Sequence, residues 1–167
     1  FFVFANVNWD RPDAPGWAEK AVADLEAAVK NRAIGLKISK GLGLQSQMSD
    51  GSLVKVNSPL LKPIWDLCAR LNIPVIIHTA EPQEFFNQPD MHNERWLELA
   101  LFPDRRNYGP DRPKFEQLMT ERNNLFRRHP KTTFIAAHFG WHANDLGRAA
   151  KLLDEFPNVN VELGAVL

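Results

Sequence analysis

Residues 72–82 read NIPVIIHTAEP. An apolar, β-branched run ends on His78, and small and acidic residues follow. Residues 131–141, KTTFIAAHFGW, repeat the pattern and end their run on His138. Short apolar runs rich in Val, Ile and Phe read as strands. A titratable ring is rarely placed in a core without a reason, so two strands ending on one point to a shared rim.

Working outward from these two stretches, strand and helix alternate. FFVFANV (1–7) reads as a strand, WAEKAVADLEAAVKN (17–31) as a helix and AIGLKIS (33–39) as a second strand. Asp13 and Pro15 stand before the first helix as start signals. A long loop follows, with a small hairpin expected across Asp50–Gly51. SPLLKPIWDLCARLN (58–72) is a helix with Ser58 at its N-cap and Pro59 at its first position, its start tightened or delayed by Pro63. Residues 73–80 form the third strand. A short helix is expected over 93–101 with Asn93 capping, then a helix over 112–130 ended by Pro130. The fourth strand covers 132–139, a helix 143–157, and a last strand 158–166.

Five strands that are apolar throughout, with helices between them, predict a parallel α/β sheet buried on both faces. Two architectures meet that description, the doubly wound sheet and the (β/α)8 barrel. No Gly-x-Gly-x-x-Gly follows any strand, and KGLGLQS carries only two of the three glycines, which speaks against a dinucleotide site. A whole barrel takes about 250 residues, so a chain of 167 residues would hold about five of its eight units. The chain opens on Phe1 within strand-like sequence and closes in another strand, so it is expected to be one domain that forms an internal portion of a longer protein.

Bulk composition excludes some functions. Lys+Arg and Asp+Glu are both 20, giving zero formal net charge, whereas a nucleic-acid surface needs a clustered basic excess. No apolar run approaches bilayer length and no secretory signal pattern is present. The compartment stays unread, with cytoplasm as the default expectation. Cys68 is the single cysteine and falls in a helix, where it reads as a buried structural thiol. Expected partners are a small-molecule substrate and, as an open question, further copies of the chain.

In a parallel α/β fold the carboxyl ends of the strands open on one face. There the sequence places Asn6 and Asn8, Lys37, His78 with Glu81 beyond it, His138 with Trp141 and His142 beyond it, and Glu162. Two imidazoles on neighbouring rigid strands suit a metal. A lysine inside an apolar strand is costly unpaired. Lys37 therefore either reaches the rim, pairs with Glu81 or Glu162, binds a substrate carboxylate, becomes a carboxylated metal bridge, or serves as a Schiff-base amine. His142 stands four residues after His138, but Gly140 marks a turn between them, so they are not read as a helical metal pair. His92 reads as a loop residue, and His129 as a helix-end residue whose positive charge suits the dipole. Trp141, Phe85 and Phe86 are candidates for an apolar pocket wall.

GLKISKGLGL, IPVIIHTAEPQEFF, NERWLEL, RHPKTTFIAAHFGWHANDL and LLDEFPNVNVELGA together resemble the amidohydrolase-2 branch of the amidohydrolase superfamily. These are metal-dependent enzymes of TIM-barrel fold, with relatives that are non-oxidative decarboxylases of the aminocarboxymuconate-semialdehyde type. The resemblance covers nearly the whole chain. It implies that His78 is the fifth-strand metal ligand and His138 the sixth-strand ligand, and that Lys37 stands at the fourth-strand position. It also implies a His-x-His on the first strand and an Asp on the eighth. Neither is found here, so the chain would span about strands three to seven, and such a portion alone is expected to bind metal weakly and show little activity.

The activity this implies for the intact protein is hydrolysis of a C–N or C–O bond in a small carbonyl or carboxylate substrate. A divalent metal would activate the water, with zinc the first expectation. His138 would be a ligand first and a proton-transfer group second. Lys37, Glu81, Trp141 and Glu162 would contact substrate. Decarboxylation on the same scaffold is the alternative. Outside that class stand a metal-free lyase using Lys37 and a truncated, non-catalytic barrel.

Overall fold

The computed structural model describes residues 1–165. Five strands, β1 (Val3–Ala5), β2 (Ala33–Ile38), β3 (Val75–Ile77), β4 (Phe134–Ala136) and β5 (Val159–Val161), form one sheet. All neighbours are parallel, and their spatial order is β1-β2-β3-β4-β5. That order separates the two candidate architectures. A doubly wound sheet reverses direction at a switch point, whereas each strand here is added on the same side of the last. The chain thus has the winding of a (β/α)8 barrel over five strands. The last strand was expected to run to 166, which lies outside the described residues.

Between the strands run α1 (Trp17–Lys30), α2, an irregular turn at Gly41–Leu44, α3 (Lys62–Leu71), α4 (Trp96–Leu101), α5 (Phe115–Arg128) and α6 (Leu146–Glu155). Register sorts the sheet into layers. Leu36, Val75, Phe134 and Val159 lie abreast, as do Ile38, Ile77, Ala136 and Val161. Both layers join the core with Leu25, Ile64, Trp65 and Phe126. Lys37, Ile76, Ile135 and Asn160 form the alternate layer. There the three larger side chains are half-buried and Asn160 is exposed. Burial on both faces was expected; the helix-side layers are the more buried, with Val161 half-buried among them. Trp65 has no exposed surface and stacks on Trp9 at 5.6 Å between centroids, filling the space between sheet and helices.

Element boundaries follow local chemistry. Ser58 Oγ accepts from the Leu60 N–H, and Pro59–Leu61 is a 3-10 turn before α3 begins at Lys62, so Pro63 does fall in the first helical turn. Asp145 caps α6 by accepting from the Arg148 N–H at 2.9 Å. The hairpin at Asp50–Gly51 appears as a single bridge between Gln47 and Leu53. Helix α1 starts at Trp17, as expected, but Asp13 does not cap it. Its N-cap is Gly16 with φ 78°, while the Asp13 carboxylate instead accepts from the Ser49 N–H at 3.0 Å. A loop contact 36 residues away took that capping group. Asn93 is buried and ties its loop together, donating to the carbonyls of Glu84 and Gln88 and accepting from the Arg95 N–H.

The ladder runs one residue past the regular strands. The His78 N–H donates to Ile38 O, Ala137 N–H to Ile77 O and Glu162 N–H to Ala136 O. His78, Ala137 and Glu162 therefore lie in one layer at the carboxyl edge, on the same face as Lys37, Ile76 and Ile135.

Candidate metal centre

The two strand-end histidines meet. Their rings are 4.4 Å apart, edge to face, with His138 Nε2 3.3 Å from His78 Nδ1. They arrive by different routes. His78 needs only strand alternation. A strand continued through position 138 would send that side chain to the helix face, yet the backbone reverses there. His138, Phe139, Gly140 and Trp141 have φ of 56°, 55°, 63° and 61°, a full left-handed turn. Each of the three non-glycine residues costs about 1–2 kcal/mol in that conformation.

Hydrogen bonds hold the turn. His138 N–H donates to Glu162 Oε2 at 3.1 Å and Phe139 N–H to Glu162 O at 2.7 Å. The Trp141 indole donates to Thr79 O at 2.6 Å, which sets its ring within 5.6 Å of the His78 ring and 4.9 Å of the His138 ring. Arg122, on α5 and fully buried, donates to Gly140 O at 2.7 Å.

The proton inventory suits a ligand pair. His138 Nδ1 lies 2.7 Å from Gly164 O, and a carbonyl only accepts, so Nδ1 carries the proton and Nε2 presents its lone pair to His78. Burial first, then the neighbouring His138, Lys37 and Lys40, pulls the His78 imidazole down to about 4. It is neutral at pH 7, the form a metal requires. His78 Nε2 is buried without a partner, as is Oγ1 of the following residue, Thr79. Two nitrogens bound to one tetrahedral ion at about 2.0–2.1 Å stand about 3.3–3.4 Å apart, which is the separation observed. The pair therefore fits a divalent ion on this chain's side. Among the described residues no group of three His, Cys, Asp or Glu converges to complete such a site.

The charged candidates divide. Lys37 Nζ donates to Ile38 O at 2.8 Å. Burial lowers its pKa and the Glu162 charge works against that shift. Glu162 is held ionised by the His138 N–H, helped by the Gly164 N–H. Glu81 does not pair with Lys37; it is buried and pairs with Lys40. A cavity of about 660 Å3 opens beside the histidines, lined by His78, His138, Trp141, Glu81, Lys40 and Phe85 among others. Lys37 and Glu162 are not among its lining residues. Phe86 packs on Phe115 at 5.7 Å instead. Arg105, also on the cavity lining, stacks over Phe85 at 5.0 Å and pairs with Glu98.

Sequence reasoning missed Lys40 and Arg122. Lys40 was legible as the second lysine of GLKISK. Arg122 gave no signal, because a helix arginine normally reads as solvated. His142 is buried against Arg122, with its Nε2 3.3 Å from that guanidinium, and is held near pKa 4 by burial and then by that charge. His129 was expected to carry charge at the α5 terminus. Burial instead lowers its pKa, against the pull of Asp66. Asn6 and Asn8 serve their own turns, accepting from the N–H groups of Val7 and Asp10. Cys68 is buried, and burial raises its thiol to about 12.

The amidohydrolase family profile (Amidohydro_2) matches residues 4–167, and the chain belongs to that family. Solved structures share its fold. A TIM-barrel protein from Bordetella bronchiseptica aligns with a TM-score of 0.58 at 13% identity, over 98% of this chain and 43% of that one. A dihydroxybenzoic acid decarboxylase from Polaromonas sp. JS666, with bound manganese and the inhibitor 2-nitroresorcinol, aligns at 0.53 and 18% identity, over 89% and 41%. The 4-oxalomesaconate hydratase of Rhodopseudomonas palustris aligns at 0.53 and 17% identity, over 98% and 44%. The chain thus spans less than half the length of these proteins. No match is found among curated protein sequences. Among the described residues no helix is long and apolar enough to cross a membrane.

Proposed function

We propose that the intact protein is a metal-dependent enzyme acting on a small carbonyl or carboxylate substrate, with His78 Nδ1 and His138 Nε2 as two of its metal ligands. The observation that carries this reading is the 3.3 Å approach of those two nitrogens at the strand ends. Hydrolysis of a C–N or C–O bond is the first reading, from the family. The remaining ligands are supplied by chain outside residues 1–167. A divalent ion held by His78 and His138 would supply Lewis acidity, lowering the pKa of a water toward about 7 and polarising a substrate carbonyl.

This chain's residues provide the rest. Gly164 O fixes the His138 tautomer, as a carbonyl behind a ligating imidazole does. Trp141 covers both rings and keeps bulk water from one side of the pair. Lys40, half exposed at the cavity wall and held by Glu81, would meet a substrate carboxylate there, with Arg95 and Arg105 on the same lining. Lys37, whose ammonium is directed to a backbone carbonyl, balances Glu162. Phe85 offers the cavity an apolar wall, which suits a flat molecule. Zinc matches two imidazole ligands, while the manganese of the Polaromonas decarboxylase keeps the metal open to others that accept imidazole.

Decarboxylation is the second reading, favoured by the activity named for that same protein. One assay separates them. With substrate in H2-18O, a hydrolase places the label in the product, and a decarboxylase releases carbon dioxide and leaves the acyl or aryl product unlabelled. A full-length protein that does neither after loading with zinc or manganese contradicts the proposal.

A further inference from the structure

We infer that Arg122 is a positioning residue for the metal centre: from within α5 its guanidinium grips the left-handed turn and holds His138 against His78. This rests on the metal reading above. Most of the residues α5 buries beside it, among them Leu118, Met119, Leu125 and Phe126, are apolar. Arg122 is as buried as they are, at 1% exposure, and no carboxylate among the described residues lies within ion-pair distance of it. Glu116, the carboxylate whose charge acts on it, is engaged by Arg148 at 2.8 and 2.5 Å. An unpaired buried cation is a poor stabiliser, and apolar residues of similar volume generally serve as well or better. Its guanidinium carbon lies 5.6 Å from the Phe126 ring centroid, a contact that offsets part of that cost without setting where the fork points.

Its hydrogen bonds set that direction. Nη1 donates to Gly140 O at 2.7 Å, and Nη2 lies 3.3 Å from His142 Nε2. Nε and Nη2 also reach Asn123 Oδ1 at 3.2 and 3.1 Å, which sets the plane of the fork. Gly140 and His142 flank Trp141, whose indole N–H is bound to Thr79 O, one residue past His78. The guanidinium thus secures the turn at both sides of Trp141, and the turn in its sequence-unfavoured conformation is what carries the His138 ring to the rim. Lysine has the charge but not the fork, and cannot hold Gly140 O and His142 Nε2 in one plane.

The test uses full-length protein reconstituted with Co2+, whose visible absorption reports ligand geometry. Arg122→Met, Arg122→Lys and His78→Ala are compared with wild type for Co2+ affinity, spectrum and the melting temperature of the metal-free protein. The expected result is that metal-free Arg122→Met melts close to wild type, while its Co2+ affinity falls about 10- to 100-fold, as for other residues that orient a ligand from behind, with an altered spectrum. Arg122→Lys falls between. Should the Met variant not fold, the Lys variant decides alone. Wild-type affinity and spectrum in the folded Arg122 variants overturn the inference, and leave the metal reading standing if His78→Ala abolishes binding. Undiminished Co2+ binding by His78→Ala overturns both.

Discussion

A buried imidazole is a pH-dependent element of the fold as well as a ligand. His78 and His142 are both held near pKa 4 in the folded chain, by burial first, against about 6.5 when unfolded. Between those values the unfolded chain binds more protons, so stability rises with pH from about 4 to about 6.5 and these groups add no slope above it. Urea denaturation across that range checks this, and a midpoint that falls with rising pH there would contradict it. Lys40 makes a second residue-scale prediction. Lys40→Met leaves Glu81 buried without its partner and removes one of the cavity's cations, so KM for an anionic substrate should rise about tenfold or more, the worth of one charged hydrogen bond. Lys37→Met, whose ammonium is satisfied by Ile38 O, should move KM less; steady-state kinetics of the two variants compare them. At this scale the sequence was legible where a polar residue broke an apolar run, as at His78 and His138. It was not legible where a partner lies far along the chain, as for Lys40 with Glu81 or Arg122 with Gly140.

Among the elements, the turn after β4 is the strained one. Gly140 has φ 63°, and a Cβ there would meet Leu152 Cδ2 at 3.2 Å and Arg122 Nη1 at 3.3 Å. Gly140→Ala should therefore destabilise the protein by about 1–3 kcal/mol and weaken metal binding as well, measured by melting and by chelator competition. A variant as stable as wild type with unchanged metal affinity would show that the turn tolerates a side chain. Trp65→Ala acts through packing alone. A fully buried Trp replaced by Ala costs about 3–5 kcal/mol, so its urea midpoint should fall sharply while metal affinity per folded molecule stays near wild type. Helices and strands were readable in order and type because their apolar periodicities differ, and the Ser58–Pro59–Pro63 start was readable from its capping chemistry. The part Asp13 plays was not, since its carboxylate accepts from the Ser49 N–H and not from α1. Nor was the left-handed turn, because only one of its four residues is glycine.

On the scale of the whole molecule, monotonic strand order and uniform parallel pairing build one carboxyl edge, and that edge brings together residues 60 positions apart in sequence. The barrel winding was inferable from strand–helix alternation and the missing glycine fingerprint, but strand order itself required the fold. Family membership accounts for the scaffold; the chemistry rests on the two imidazoles. The most direct measurement is elemental analysis of full-length protein, purified without chelators, beside its His78→Ala and His138→Ala variants. Wild type should hold a stoichiometric divalent metal, lost together with activity from both folded variants, whose melting in the metal-free state changes little because a rim side chain leaves no core cavity. Folded variants that keep wild-type metal content and turnover would contradict it.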